Sequence, residues 1–360
     1  MISKEFFKQL SVIADEKGID VKQLEDAFAL ALAKAYNKAY GNSSVKVVMN
    51  SDKCEILVYS LKQVVSELST EEVDSKEEKI EEITLEEARQ INSKYNIGDV
   101  IETQVNPKDF GRLAAATAKS VFNQSIKSIQ KDNAYNYFKK CENETIVAKI
   151  IEIKDNYVTL SIGQDVTTLL PKREILSNDD FKVGDDIKVY IVSVENTSKG
   201  PKVFVSRSDK NLVTRLMEDT IPEIKEGTIE IMGIARDPGD RTKIAIYSKD
   251  ENVDAIGSCV GANGNRIKDV VRQLNGEKVD LYKWSPDVKT MIANSLQPAS
   301  VLAVINVNNK EKTSLAIVPD DQLSLAIGKQ GQNVRLAVQS CGWKIDIKCE
   351  SEAKEEGIEF

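Results

Sequence analysis

Two stretches in the last third of the chain repeat each other, and this repeat limits the possible folds more than any other feature. The first copy reads Asp254-Ala255-Ile256-Gly257-Ser258-Cys259-Val260-Gly261-Ala262-Asn263-Gly264-Asn265-Arg266-Ile267. The second reads Asp321-Gln322-Leu323-Ser324-Leu325-Ala326-Ile327-Gly328-Lys329-Gln330-Gly331-Gln332-Asn333-Val334. In both, an aspartate stands seven positions before the first loop glycine. Apolar residues then follow at helical spacing: Ile267, Val270, Val271 and Leu274 in one copy, Val334, Ala337, Val338 and Cys341 in the other. Each copy closes on a matched phrase, Gly276-Glu277-Lys278-Val279-Asp280-Leu281 and Gly342-Trp343-Lys344-Ile345-Asp346-Ile347. Upstream of each lie a helix (Asn211 to Glu218, and Asp287 to Leu296) and two strands. The same unit is therefore expected to fold twice.

The order helix, strand, strand, helix, loop, helix, strand resembles a KH domain of the prokaryotic (type II) arrangement, present in tandem. The loop chemistry explains its glycines. Single-stranded RNA is clamped along its backbone, and a Cβ would obstruct the close approach of loop to phosphate. The helix that starts after the loop points free N–H groups and its positive dipole end at the same anions. The expected RNA-binding residues are Gly261, Asn263, Gly264, Asn265, Arg266 and Lys268 in the first copy. In the second they are Gly328, Lys329, Gln330, Gly331, Gln332, Asn333 and Arg335. A lone Gly-x-x-Gly is usually an ordinary helix–helix turn. Two copies with the same offsets, stripe and closing strand favour the clamp. No Gly-x-x-x-x-Gly-Lys-Ser/Thr occurs, which excludes a phosphate-binding NTPase loop.

Ahead of the repeat, five short β-rich runs (Thr145 to Ile153, Tyr157 to Ile162, Val166 to Leu170, Ile187 to Val194, Val203 to Val205) are separated by turn residues. They fit a small closed barrel of OB type, with Pro171 to Asp180 as a short helical crossover. The front of the chain reads as helix over Val21 to Tyr40, with a stripe of Leu24, Ala27, Phe28, Ala31 and Ala35. Strands are expected over Val45 to Met49, Glu55 to Leu61 and near Asp99 to Val105. The turn Asn106-Pro107-Lys108-Asp109 then leads into a long helix carrying Ala114, Ala118, Val121, Phe122 and Ile129. The acidic stretch Glu71 to Glu87 reads as solvated loop and helix surface. The fold class is thus multidomain α+β: an α/β N-terminal domain (1–137), an OB barrel (138–208), two KH domains (209–284 and 285–348) and a short acidic tail (349–360).

Composition removes most chemistry. Histidine is absent from the 360 residues, which takes away Ser-His-Asp and Cys-His systems and most zinc sites. The five cysteines are scattered, with no Cys-x-x-Cys, so neither a disulfide framework nor a metal cage is expected. No enzyme activity, cofactor or metal is anticipated. No apolar run approaches the ~20 residues of a membrane span, and the first residues lack a signal peptide's apolar core, so a cytoplasmic location is expected. The net charge of −8 argues at first against a nucleic-acid partner. Its acid is concentrated in Glu71 to Glu87 and after Glu350, which leaves a local basic surface permissible.

With helical front, barrel, KH and KH in this order, the chain resembles the NusA family of bacterial transcription elongation, termination and antitermination factors. Particular phrases carry the resemblance: Pro107-Lys108-Asp109-Phe110-Gly111-Arg112, Val205-Ser206-Arg207-Ser208, Ile221-Pro222-Glu223-Ile224 and Ala235-Arg236-Asp237-Pro238-Gly239-Asp240-Arg241, with Asp321 to Arg335. The barrel is then of S1 type. The resemblance implies nascent single-stranded RNA and RNA polymerase as partners, the latter at the flap near the RNA exit channel. It also implies other Nus-type antitermination factors as partners, and a monomer. Arg112 and Lys119 match positions that lie near exiting RNA in the family. Two departures stand out. The first loop, Ala262-Asn263, lacks a cation of its own and is expected to depend on Arg266. The barrel is poor in stacking aromatics, with Tyr157 and Phe204 the candidates. Rival readings are a polynucleotide phosphorylase-like nuclease, which has a different module order, and a general RNA chaperone or ribosome-assembly or RNA-turnover factor.

Overall fold

The computed structural model describes residues 4–40, 44–68, 80–105 and 112–360, which form two compact units, Met1–Ala134 and Tyr135–Phe360. The turn at 106–109, the phrase that follows it and the acidic residues 71–79 lie outside the described residues.

In the first unit, α1 (Lys4–Lys17) ends at Gly18, whose positive φ lets Ile19 N–H return to the Ala14 carbonyl at 2.9 Å. Asp20 then caps α2 (Val21–Tyr40), accepting from the N–H groups of Lys22 and Gln23. The expected stripe is the buried one. Leu24, Ala27, Ala31 and Ala35 are buried, and Phe28 sits between the rings of Phe6 and Phe122. Strand β1 (Val45–Asn50) pairs antiparallel with the long β2 (Glu55–Val65). A further strand, β3 (Glu81–Thr84), runs parallel to β2, and α3 (Leu85–Ile91) follows through a capping box of Thr84 and Glu87. The acidic stretch therefore supplies a strand as well as a helix. β4 (Val100–Val105) pairs antiparallel with β2, and α4 (Arg112–Lys140) follows.

The second unit begins within α4, whose Phe138 is fully buried in the barrel core. The strands β5 (Thr145–Ile153), β6 (Tyr157–Ser161), β7 (Thr167–Pro171), β8 (Asp186–Thr197) and β9 (Gly200–Ser206) lie in the order β7-β6-β5-β8-β9. The inward Thr168 hydroxyl of β7 donates to the Val203 carbonyl of β9 at 2.5 Å and draws the sheet's two edges together. Alternate residues (Ile150, Val158, Leu160, Leu170, Val189, Ile191, Val203, Val205) fill the interior. The crossover is a single 3₁₀ turn, Lys172–Glu174.

Two αββααβ bodies follow. The first contains α5 (Lys210–Thr220), α6 (Pro222–Lys225), β10 (Ile229–Asp237), β11 (Arg241–Ser248), α7 (Ala255–Val260), α8 (Asn265–Gln273) and β12 (Lys278–Lys283). The second contains α9 (Val288–Ser295), β13 (Ala303–Asn308), β14 (Thr313–Val318), α10 (Leu323–Ile327), α11 (Gln332–Cys341) and β15 (Lys344–Cys349). Each sheet pairs its first two strands antiparallel and its last strand parallel to the second. The acidic end differs from the expected tail. Residues Glu350–Glu355 form α12, with Ala353 buried against Leu315 and Ile317, and Ser351 donates to both Asp320 carboxylate oxygens. No described helix is long and apolar enough to cross a membrane.

Candidate nucleic-acid interface

The two loops share one backbone path. Gly261 has φ 73° and ψ 174°, and Gly328 has φ 76° and ψ 169°. The middle residues Asn263 (φ 56°) and Gln330 (φ 53°) are left-handed, and Gly264 and Gly331 close the loops at φ 73°. The Gly264 N–H returns to Gly261 O and the Gly331 N–H to Gly328 O, both at 3.1 Å. Only glycine readily adopts the first of these conformations. The helices that follow, α8 and α11, begin without a side-chain cap. The first N–H of each is taken inside the loop, Asn265 by Ala262 O and Gln332 by Lys329 O, and the positive end of each helix is left without a side-chain acceptor.

The charge around the loops is arranged differently from the sequence expectation. Arg266 does not project freely toward the first loop. Its stem covers Gly261, where a Cβ would meet Arg266 Cγ at 2.8 Å. Its Nη1 donates to both oxygens of Glu223, at 3.0 and 2.9 Å, and to Ser258 O at 2.7 Å. A bond from its own backbone N–H, followed by Arg266, holds the Glu223 carboxyl below the ordinary range. Asn333 occupies the equivalent place in the second loop, against Gly328, and it is buried. Its amide donates to Leu296 O at 2.9 Å and Ala326 O at 3.0 Å, so it braces the loop from inside. Lys268 bridges its own loop to Asn263 O at 2.9 Å. Lys329, Gln330, Asn263 and Asn265 are exposed. Gln332 and Arg335 are engaged by the first KH body: Arg335 Nη2 donates to Asp237 Oδ2 at 2.6 Å, and Gln332 Nε2 reaches Asp237 and Asp240.

A cleft of about 610 Å³ runs along β12, the edge strand of the first KH sheet. Ile256, Val260 and Ile267 of α7 and α8 form one wall, and residues 297–301 of the second body form the other. Lys243 lies at its base with Nζ donating to Gln297 O at 2.7 Å, and burial lowers its pKa to about 8. The free edge of β12 and the apolar wall suit a flat ring whose polar edge needs partners. On the barrel, Tyr157 and Phe204 are both part-exposed, outside the core. Each carries a lysine over its ring, Lys154 at 5.4 Å and Lys202 at 4.6 Å.

Buried ion pairs hold the barrel to the first KH body and shape that body's hairpin. Arg207, 2% exposed, donates to both oxygens of Asp179 at 2.7 Å, to Lys188 O and to Gln273 O. Asn275 Nδ2 adds a bond to Asp179 Oδ1. Arg236 pairs with the fully buried Glu277 through two 2.9 Å bonds, and Gly239 N–H and the Thr242 hydroxyl complete that carboxylate's shell. These residues had only one signal in the sequence: Arg207, Glu223, Arg236, Asp237 and Asp240 all fall in the phrases quoted for the family resemblance. Of the pair expected near exiting RNA, Lys119 is exposed on α4, and the side chain of Arg112 lies outside the described residues. Cys259 is buried and its thiol is pushed up to about 12, which leaves it inert.

Comparison with known proteins agrees with this layout. Residues 5–132 match the model of the NusA N-terminal domain, 207–284 that of the NusA-like first KH domain, and 288–355 that of the NusA-like second KH domain. The transcription termination/antitermination protein NusA of Bacillus subtilis is 42% identical over 99% of this chain and 94% of its own length. That of Halalkalibacterium halodurans is also 42% identical, over 99% of the chain and 91% of its own. The NusA of Rickettsia conorii is 35% identical over 99% of the chain and 70% of its own length.

Proposed function

The chain belongs to the NusA family of transcription termination/antitermination proteins, and on that premise we propose that it binds nascent single-stranded RNA and RNA polymerase together, modulating pausing, termination and antitermination without catalysis. The observation that carries this reading is the pair of loops with matching dihedral angles, each opening an uncapped helix within one unit that also contains the barrel. Phosphates pass over Gly261–Gly264 and Gly328–Gly331, where the missing Cβ atoms and the positive helix starts that follow admit them. Bases turn into the cleft along β12, and Tyr157 and Phe204 stack others on the barrel. The contribution is positional: it fixes where the transcript runs. The first unit docks on polymerase near the exit channel, with Lys119 and Arg112 on the RNA side, and the protein works in the cytoplasm as a monomer.

The test replaces Gly261 and Gly328 with aspartate. RNA affinity measured by fluorescence anisotropy should fall to background in a protein whose circular dichroism is unchanged. Retained affinity would exclude the loops as the clamp. Docking is tested separately by co-purifying residues 1–137 with core polymerase, and absence of the complex would count against it.

A further inference from the structure

The hairpin that joins β10 to β11 presents Asp237 and Asp240 to the first turn of α11 in the second KH body. Arg335 Nη2 lies 2.6 Å from Asp237 Oδ2, and Gln332 Nε2 lies 3.0 Å from Asp237 Oδ2 and 2.6 Å from Asp240 Oδ2. Both partners, Gln332 and Arg335, lie on the first turn of the helix that the second loop opens, which has no side-chain cap.

The contact is unlike those that fix the junction. The Arg335 and Asp237 side chains are 49% and 28% exposed, whereas Arg236 and Glu277 beneath the same hairpin are 2% and 0% exposed. The hairpin is held by Glu277, which takes the Gly239 N–H at 2.8 Å. The two KH bodies meet independently through the Tyr282 hydroxyl on Ser340 Oγ at 3.0 Å and through Lys243 on Gln297 O. They also meet at Gly233, where any Cβ would lie 2.0 Å from Ser340 O. An exposed ion pair added to such a junction contributes little to its stability. It does occupy the one arginine on the first turn of α11. Arg266 at the first loop differs, because its stem covers Gly261 and it also bonds Ser258 O, so it is built into the loop.

We propose that Asp237 and Asp240 are an internal phosphate mimic: they hold Arg335 and Gln332 in the absence of RNA, and a backbone phosphate displaces them when the second loop engages. This rests on the RNA-binding reading above and adds a competitor to it. The first KH body thereby sets the threshold at which the second accepts RNA. The competition is between like ligands, carboxylate and phosphate oxygens, for the same guanidinium and amide donors.

The experiment titrates a short fluorescein-labelled single-stranded oligoribonucleotide with the full chain. Asp237→Asn keeps the shape and removes the charge. It should tighten binding roughly fivefold, the effect of freeing one exposed arginine. It should leave the dependence of log K on log salt nearly unchanged, because Arg335 takes the phosphate in both proteins. Asp240→Asn should shift affinity in the same direction by less. Arg335→Gln should cost little alone and should abolish the gain in the Asp237→Asn background. Unchanged or weaker binding by Asp237→Asn, with its melting temperature preserved, would overturn the mimic and make Asp237 a positioning residue for Arg335. If Asp237→Asn lowers the melting temperature, the sign of the Asp240→Asn effect decides instead. A wild-type chain without RNA affinity would instead defeat the RNA-binding reading itself.

Discussion

Gly328 and Gly331 bound the same loop but are glycine for different reasons. At Gly328 a Cβ would lie 2.7 Å from Asn333 N and 2.9 Å from Asn333 Cβ, in a backbone conformation only glycine readily adopts. At Gly331 a Cβ would meet nothing, and only the φ of 73° resists substitution. Gly328→Ala should therefore destabilise the second KH body by roughly 3 kcal/mol, and Gly331→Ala by about 1 kcal/mol, in urea unfolding. Equal costs would show that Asn333 moves aside freely. Lys243 gives a second prediction at this scale. Its folded pKa of about 8 lies below the unfolded value of about 10.4. Between those values the unfolded chain holds the proton that the folded chain has released, so stability rises with pH across that window. Below it the burial cost of the ammonium is present in full, and above it that cost is gone. The melting temperature should rise from pH 8 toward pH 10 relative to Lys243→Met, which lacks the titrating amine. Parallel profiles for the two proteins would mean that Lys243 retains its proton on folding.

Among the elements, those with local cause were the legible ones. The stripe of α2, the five barrel strands and the repeated order of the KH bodies follow from apolar periodicity and turn residues within short windows. β3 escaped because Glu81 and Glu82 are poor strand formers and its partner is a parallel segment of β2 far back in the chain. The helix α12 escaped because its acidic surface conceals the single small residue, Ala353, that packs under β14. The loop glycines were legible, since close approach and positive φ leave glycine as their mark. The state of the loop arginines was not: Arg266 finds Glu223 at a separation of 43 residues and Arg335 finds Asp237 at 98. One aspartate of the repeat also changed its meaning, because Asp254 caps α7 while the cap position before α10 is Gln322. The join of barrel and first KH body makes its own prediction. Arg207→Met leaves Asp179 buried without its guanidinium, which should cost roughly 3–5 kcal/mol in urea unfolding. Adding Asp179→Leu should recover most of that loss. A double variant as unstable as the single one would place the cost in Asn275 and the carbonyls of Lys188 and Gln273 instead.

For the whole molecule, the puzzle is how a chain of net charge −8 takes up a polyanion. A basic field is one route, and it makes affinity steeply dependent on salt. The described interface follows another. Its two loop arginines are already neutralised, by Glu223 and Asp237, and its remaining tools are backbone N–H groups, uncapped helix starts, the free edge of β12 and aromatic rings. Dipoles and stacking release few condensed counterions, whereas each lysine or arginine that takes a phosphate releases about 0.7 per contact on single strands. Lys329 and Lys268 are the loop cations left to do so, and Arg335 joins them once phosphate displaces Asp237, which sets the expected slope of log K against log salt at about −2 for the wild-type chain. Anisotropy titrations of the full chain on a single-stranded oligoribonucleotide across a salt series measure it directly. A slope several units steeper would mean that cations away from the loops carry the binding, and the acidic total would then conceal a basic track elsewhere on the surface. A shallow slope together with loss of affinity in the paired Gly261→Asp and Gly328→Asp variant would assign the grip to the loop backbones, where a negative chain can hold RNA without a positive field.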